Sequence, residues 1–183
     1  MNEIYISVDV ETDGPIPGPH SMLSLGAAAF TVDGNMLSTF SANLYPMEGS
    51  NPDPDTARWW LSQPEAWAEV IKDRDEPIRV MKRFAEWVGK QPGKPVFVGY
   101  PAGFDFLFIY WYLIKYIGKS PFSFSAIDMK TFAMAILGLP YRECTKRNFP
   151  KIWFSDDKHS HVAVEDAIEQ GRIFCKMLKA SKQ

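Results

Sequence analysis

The chain has 183 residues, 46% of them hydrophobic and 14% aromatic, which suffices for one substantial core and argues for a single domain over residues 1–183. Its two cysteines, Cys144 and Cys175, lie far apart and outside any C-x-x-C spacing, so neither a disulfide framework nor a zinc site is indicated. No basic n-region with an apolar h-region opens the chain. The most apolar run, Phe104 to Ile117, carries Asp105 and Lys115 and is too short to cross a bilayer, so the expectation is a soluble, cytoplasmic protein with no membrane partner.

Residues 3 to 11 (EIYISVDVE) and 22 to 32 (MLSLGAAAFTV) read as strands separated by the turn-rich TDGPIPGPHS. A third strand, about 36 to 45, follows the turn signal Asp33-Gly34-Asn35, which gives an antiparallel meander. From Asp55 the apolar period changes to three and four, through TARWWLSQPEAWAEVI and PIRVMKRFAEWVGK, predicting two or three amphipathic helices. Lys94 to Tyr100 is a fourth strand, and Phe104 to Ile117 a buried helix. Residues 122 to 128 predict a fifth strand leading into the helix DMKTFAMAIL, with Asp128 as N-cap. The last helix, about 161 to 180, places Val164, Ile168, Phe174 and Leu178 along one side. The order predicts an α/β fold: a mixed five-stranded sheet, three strands in an antiparallel meander and two parallel, flanked by helices.

Alternation in the first strand puts Ile4, Ile6, Val8 and Val10 on one face and Tyr5, Ser7, Asp9 and Glu11 on the other. Two carboxylates side by side on a central strand are costly unless a cation neutralises them or one stays protonated, and oxygen ligands suit a hard divalent metal. Alone the triplet is weak, since about 0.7 D-x-E occurrences arise by chance in a chain this acidic. Asp105 stands between Phe104 and Phe106 at the head of an apolar helix, where an ordinary first-turn Asp would also be favoured by the helix dipole. Asp166 lies one turn into the last helix. His161 shares a site with it only from a position at or before the helix start, because five residues turn through about 140°. Ser160 as N-cap would allow that. The net charge of −2 does not exclude a polyanionic partner, because carboxylates gathered around cations hide part of the negative charge.

Together, VDVETDG, GFDFLF and HVAVEDA place acids on a first strand, a mid-chain helix and a final helix. The chain thereby resembles the DEDDh-type 3′-to-5′ exonucleases of the ribonuclease H-like superfamily over nearly its whole length. The stretch Asp55 to Gln63, with its paired Trp59 and Trp60, also resembles a branch of phage and bacterial exonucleases. Two positions depart from the common pattern: Pro101 stands where relatives often have Asn, and Ser24 where they often have Glu.

The resemblance implies that Asp9, Glu11, Asp105 and Asp166 hold two divalent cations, Mg²⁺ or Mn²⁺, and that His161 is the general base. The reaction implied is hydrolysis of phosphodiester bonds of DNA or RNA from the 3′ end, releasing nucleoside 5′-monophosphates. Thr12 and Phe104 match the positions that hold the terminal nucleotide. The implied partner is a nucleic acid with a free 3′ end, single-stranded or with a 3′ overhang. A homodimer is compatible with the aromatic surplus, and Trp59, Trp60, Trp67 and Trp87 are assigned to core or to such a contact. The segment Tyr141 to Lys151 interleaves four basic residues with aromatics, as single-strand binding surfaces do, or forms a solvated loop anchored by its rings. The rival readings are a catalytically silent nucleic-acid-binding module, which would be expected to have lost a ligand, and a metal-dependent endonuclease.

Overall fold

The computed structural model describes residues 2–154 and 162–182. Strands β1 (Glu3–Thr12), β2 (Met22–Thr31) and β3 (Met36–Asn43) form the expected meander, with β2 and β3 joined by a turn closed by Gly34 N–H donating to the Thr31 carbonyl at 2.9 Å. Three helices follow, α1 (Pro54–Leu61), α2 (Pro64–Val70) and α3 (Pro77–Gly89). Each opens on proline, whose fixed φ and missing N–H suit a first helical position. Strand β4 (Lys94–Gly99), α4 (Ala102–Ile117), a two-residue β5 (Ile127–Asp128), α5 (Met129–Leu137) and α6 (Ala163–Ala180) complete the regular elements. Single 3₁₀ turns at Tyr141–Glu143, Lys146–Asn148 and Lys151–Trp153 cross the space between α5 and α6.

The sheet order is β3-β2-β1-β4-β5, with β1 antiparallel to β2 and parallel to β4. β1 is therefore central and buried on both faces. Ile4, Ile6, Val8 and Val10 pack with Val80, Phe84, Phe108 and Tyr112 of α3 and α4. Tyr5, on the opposite face, meets Phe174 of α6 with ring centroids 5.1 Å apart. The α6 layer sits close because β2 offers small residues there: a Cβ on Gly26 would lie 2.1–2.2 Å from the Ala163–Val164 backbone. Gly26 is the register partner of Asp9, so this close approach brings the head of α6 over the first acid.

Two expectations need correction. The fifth strand is shorter than residues 122–128: Phe122 is buried in the core, and Ser123 adopts φ 60°, which breaks an extended run before Ile127. Of the expected side of α6 only Phe174 is fully buried, together with Ala163, Asp166, Ala167, Gln170, Gly171, Ile173, Cys175 and Met177, whereas Val164, Ile168 and Leu178 lie half-buried at the margin. Near its head the helix passes too close to the sheet for large apolar side chains, so Ala163, Asp166, Ala167 and Gln170 are the buried residues there, and further along Ile173, Phe174 and Met177 fill the core. Asp128 does cap α5, accepting from Thr131 N–H at 2.7 Å. Among the described residues no helix is long and apolar enough to cross a membrane.

Candidate active site

The parallel pairing of β1 with β4 ends at Ser7–Val98, so the backbone of β1 beyond that point lacks a strand partner on this side. Side chains take its place. Gln170 Nε2, on α6, donates to the Val8 carbonyl at 2.5 Å, and Val10 N–H donates to Asp105 Oδ1 at 3.3 Å. These two bonds tie the second turn of α6 and the head of α4 to the end of the central strand. Both helices present an N-terminus there, each with an acid in its first turn, where the helix dipole favours negative charge. Gln170 was not singled out by sequence reasoning, since an amide within a helix gives no signal until the partner carbonyl is known.

Asp9 and Glu11 extend from the same face of β1, and Asp166 reaches them from α6. One carboxylate oxygen of each lies within 4.8 Å of those of the other two. Asp166 is buried, and Asp9 and Glu11 are partly exposed. Asp105 stands beside this trio rather than within it. It is 3% exposed, and its Oδ2 is buried without a hydrogen-bond partner among the described residues. Gly99 accommodates that oxygen, because a Cβ there would lie 3.2 Å from Oδ2 and 2.9 Å from the Ala102 Cα.

Packing acids this way moves their protonation. Burial, then Asp105, Glu11 and Asp166, push Asp9 well above the ordinary carboxylate range, with Lys146 opposing. Burial, followed by Asp166 and Asp105, brings Glu11 to about 8. Burial takes Asp105 to about 7 despite the opposing hydrogen bonds from Val10 and Tyr100. A site that holds protons so strongly is one that a divalent cation would relieve, and the donor set, all carboxylate oxygen with one buried oxygen unpartnered, fits a hard cation.

A cavity of about 330 Å³ opens from Glu11, lined by Thr12, Phe104, Pro15, Asp53, Thr56 and Trp59 among others. Thr12 and Phe104 thus flank one space next to the carboxylates. Trp59 is 39% exposed and lines this space, so it lies outside the core, while Trp60 is buried and donates from Nε1 to the Thr12 carbonyl at 2.9 Å. In the basic segment Phe149, like Trp153 just after it, is buried in the core and Lys146 pairs with Glu169 of α6, whereas Arg142, Arg147 and Lys151 are exposed. Phe149 anchors the segment, while Tyr141 is exposed and three of its four basic residues face outward. His161, with Ser160 and His159, lies outside the described residues; α6 starts at Ala163 with Val162 as N-cap.

The chain is 32% identical over 185 residues to the 3′-5′ DNA exonuclease Cap18 of Escherichia coli, covering 99% of this chain and 95% of the relative. Its fold superimposes on the nuclease domain of 3′hExo, a DEDDh family member bound to rAMP, with a TM-score of 0.74 at 13% identity, over 97% of this chain and 92% of that one. It also superimposes on the zinc-bound E. coli ExoI complex with single-stranded DNA, with a TM-score of 0.68 at 16% identity, covering 100% of this chain and 41% of that one. These likenesses establish the ribonuclease H-like fold. Residues 4–178 match the family described as the 3′-5′ exoribonuclease Rv2179c-like domain, and the chain belongs to this family of 3′-to-5′ exonucleases.

Proposed function

We propose that the chain hydrolyses phosphodiester bonds of single-stranded or 3′-overhanging DNA or RNA in a reaction that depends on two divalent cations, releasing nucleoside 5′-monophosphates. The observation that carries this reading is the convergence of Asp9, Glu11 and Asp166, with oxygens within 4.8 Å, beside the unpartnered buried Oδ2 of Asp105. Asp9, Glu11 and Asp166 would hold one Mg²⁺ or Mn²⁺, and Asp9 and Asp105 the other. Bound there, the cations would supply an acidified water and charge stabilisation at phosphorus and at the departing 3′ oxygen. His161, two residues before α6 in the sequence, would accept the proton of the attacking water. Thr12 and Phe104 would hold the terminal nucleotide against the carboxylates and part it from its neighbour. The chain's own contribution is chiefly positioning, as phosphoryl transfer requires.

The test is digestion of 5′-labelled single-stranded DNA and RNA with Mg²⁺ or Mn²⁺, comparing the native protein with Asp9→Ala and His161→Ala. A ladder receding from the 3′ end, abolished by EDTA and by both substitutions, is the expected result. Full activity in EDTA, or cleavage at internal positions, would overturn the reading. The family description speaks of RNA and the E. coli relative of DNA, so both polymers belong in the assay.

A further inference from the structure

Strands β1 and β4 run parallel and then part. Their pairing ends at Ser7–Val98, Gly99 pairs with Asp128 of β5, and the chain turns into α4 at Ala102. β1 continues to Thr12, and the edge it turns towards the gap carries the Val8 carbonyl and the Val10 N–H, since alternate residues of a strand point their backbone groups the same way. Both residues are buried, and a buried backbone group left without a partner costs about 1–3 kcal/mol. Two helices supply what the departing strand does not: Asp105 Oδ1 accepts from Val10 N–H at 3.3 Å, and Gln170 Nε2 donates to the Val8 carbonyl at 2.5 Å. Asp105 belongs to the acid group, whereas Gln170 does not.

Gln170 is 3% exposed and lies one turn beyond Asp166 on α6, at the i,i+4 spacing that puts two residues on one helix face. Val8 is the residue before Asp9. The bond therefore joins α6 to β1 beside both carboxylates. Towards β2 the same helix is seated by shape: a Cβ on Gly26 would lie 2.1–2.2 Å from the Ala163–Val164 backbone, and one on Gly171 would lie 2.2 Å from the Phe30 ring. Such contacts set how near the helix comes, and a hydrogen bond to one carbonyl also sets where along β1 it stops. The residue type fits this task. A lysine would set a fixed cation beside the acids in competition with a metal, and an ionised glutamate can only accept, whereas the amide of glutamine donates without charge.

We propose that Gln170 is a positioning residue that holds Asp166 at its distance from Asp9, so that the trio meets a divalent cation already assembled. This rests on the metal-dependent reading given above. Without a cation the ionised acids repel one another and oppose the closure of α6 on β1, and the Gln170 bond acts against that repulsion. Residues that orient ligands without touching the metal typically carry about 10- to 100-fold in metal affinity or activity.

The experiment compares the native protein with Gln170→Met, Gln170→Asn and Ile173→Val. Gln170→Met keeps the length of the side chain and loses the donor. Ile173→Val trims a side chain of the same helix that is buried in the core away from the bond, and so measures lost stability by itself. Mn²⁺ binding is read from the free-ion signal in electron paramagnetic resonance, and kcat and KM for a 5′-labelled single strand are measured over a Mn²⁺ series. Gln170→Met is expected to weaken Mn²⁺ binding, and to raise the Mn²⁺ concentration for half-maximal activity, about 10- to 100-fold, with KM for the strand nearly unchanged. Much of the lost kcat should return at saturating Mn²⁺, because the ligands themselves are intact. Ile173→Val should melt earlier and keep the native Mn²⁺ midpoint. Gln170→Asn, whose amide is one methylene short of the Val8 carbonyl, should shift the midpoint in the same direction as Gln170→Met and gives the answer if the methionine variant does not fold. A native Mn²⁺ midpoint in a folded Gln170 variant, or an equal shift in Ile173→Val, overturns the proposal and leaves the metal-dependent reading standing. A native protein that binds no Mn²⁺ and digests its substrate in EDTA overturns that reading and the proposal with it.

Discussion

At the scale of single residues, Glu11 shows how the site trades stability for readiness. Unfolded, its carboxyl loses its proton near 4.5; folded, burial and the neighbouring acids hold the proton to about 8. Between those values the folded state keeps a proton that the unfolded state has released, so stability is fully present below about pH 4.5 and declines as pH rises towards 8. Asp9 and Asp105 shift in the same direction. The metal-free protein is therefore expected to melt at progressively lower temperature from pH 5 to pH 8.5 in scanning calorimetry with EDTA. Mn²⁺ should raise the melting temperature more at pH 8 than at pH 5, because the cation replaces protons that are held at the lower pH. Glu11→Gln should flatten the EDTA profile and reduce kcat/KM at least about 100-fold, since a missing ligand weakens a site more than a missing support does. A melting temperature that rises with pH in EDTA would show that burial and the neighbouring acids do not hold these protons as described.

At the scale of elements, the site depends on how closely α6 and α4 approach the sheet. Gly26 is the contact for α6, and a methyl at 2.1–2.2 Å from the Ala163–Val164 backbone cannot be absorbed by a side-chain movement. Gly26→Ala is expected to cost about 1–3 kcal/mol by overpacking and to lower activity more than 10-fold, by lifting Asp166 away from Asp9. Thermal melting and the digestion assay read the two effects separately. If activity persists despite the loss of stability, α6 re-seats without disturbing Asp166. α1 carries a comparable but gentler dependence on its cap: Asp53→Ala removes the acceptor of three hydrogen bonds and should cost about 1 kcal/mol, or roughly 2–4 °C. It should also raise KM more than it lowers kcat, because α1 lines the cavity beside Glu11 and carries no carboxylate of the cluster.

At the scale of the whole molecule, a net charge of −2 coexists with a polyanionic substrate because the charges are segregated. The acids converge at the end of β1, while Arg142, Arg147 and Lys151 stand exposed on the 3₁₀ turns that precede α6. If those three meet phosphates of the incoming strand, their combined replacement by Gln should reduce the dependence of KM on salt concentration and leave kcat nearly unchanged. An unaltered salt slope would return the segment to the status of a solvated loop.

The sequence by itself determined the element order, the mixed sheet and the family, because period-two and period-3.6 patterns, proline starts and turn glycines are local, and the acids fall in three recognisable stretches. It also determined that Asp9 and Glu11 share a face, since strand alternation needs no tertiary partner. The tertiary structure alone decided that Asp166 closes on Asp9 and Glu11, that Asp105 stands beside the trio with one oxygen unpartnered, and that Trp59 lines the cavity while Trp60 is buried. It likewise decided the buried face of α6, of which the apolar pattern had placed Phe174 but not Ala163, Ala167 or Gln170, and the brevity of β5. The physical reason is common to all of these. How closely a helix approaches a sheet, and which side chains replace a departing strand as partners for its backbone, depend on residues distant in sequence, such as Gly26 against Ala163 and Gln170 against Val8. No local pattern encodes contacts between segments that only folding brings together.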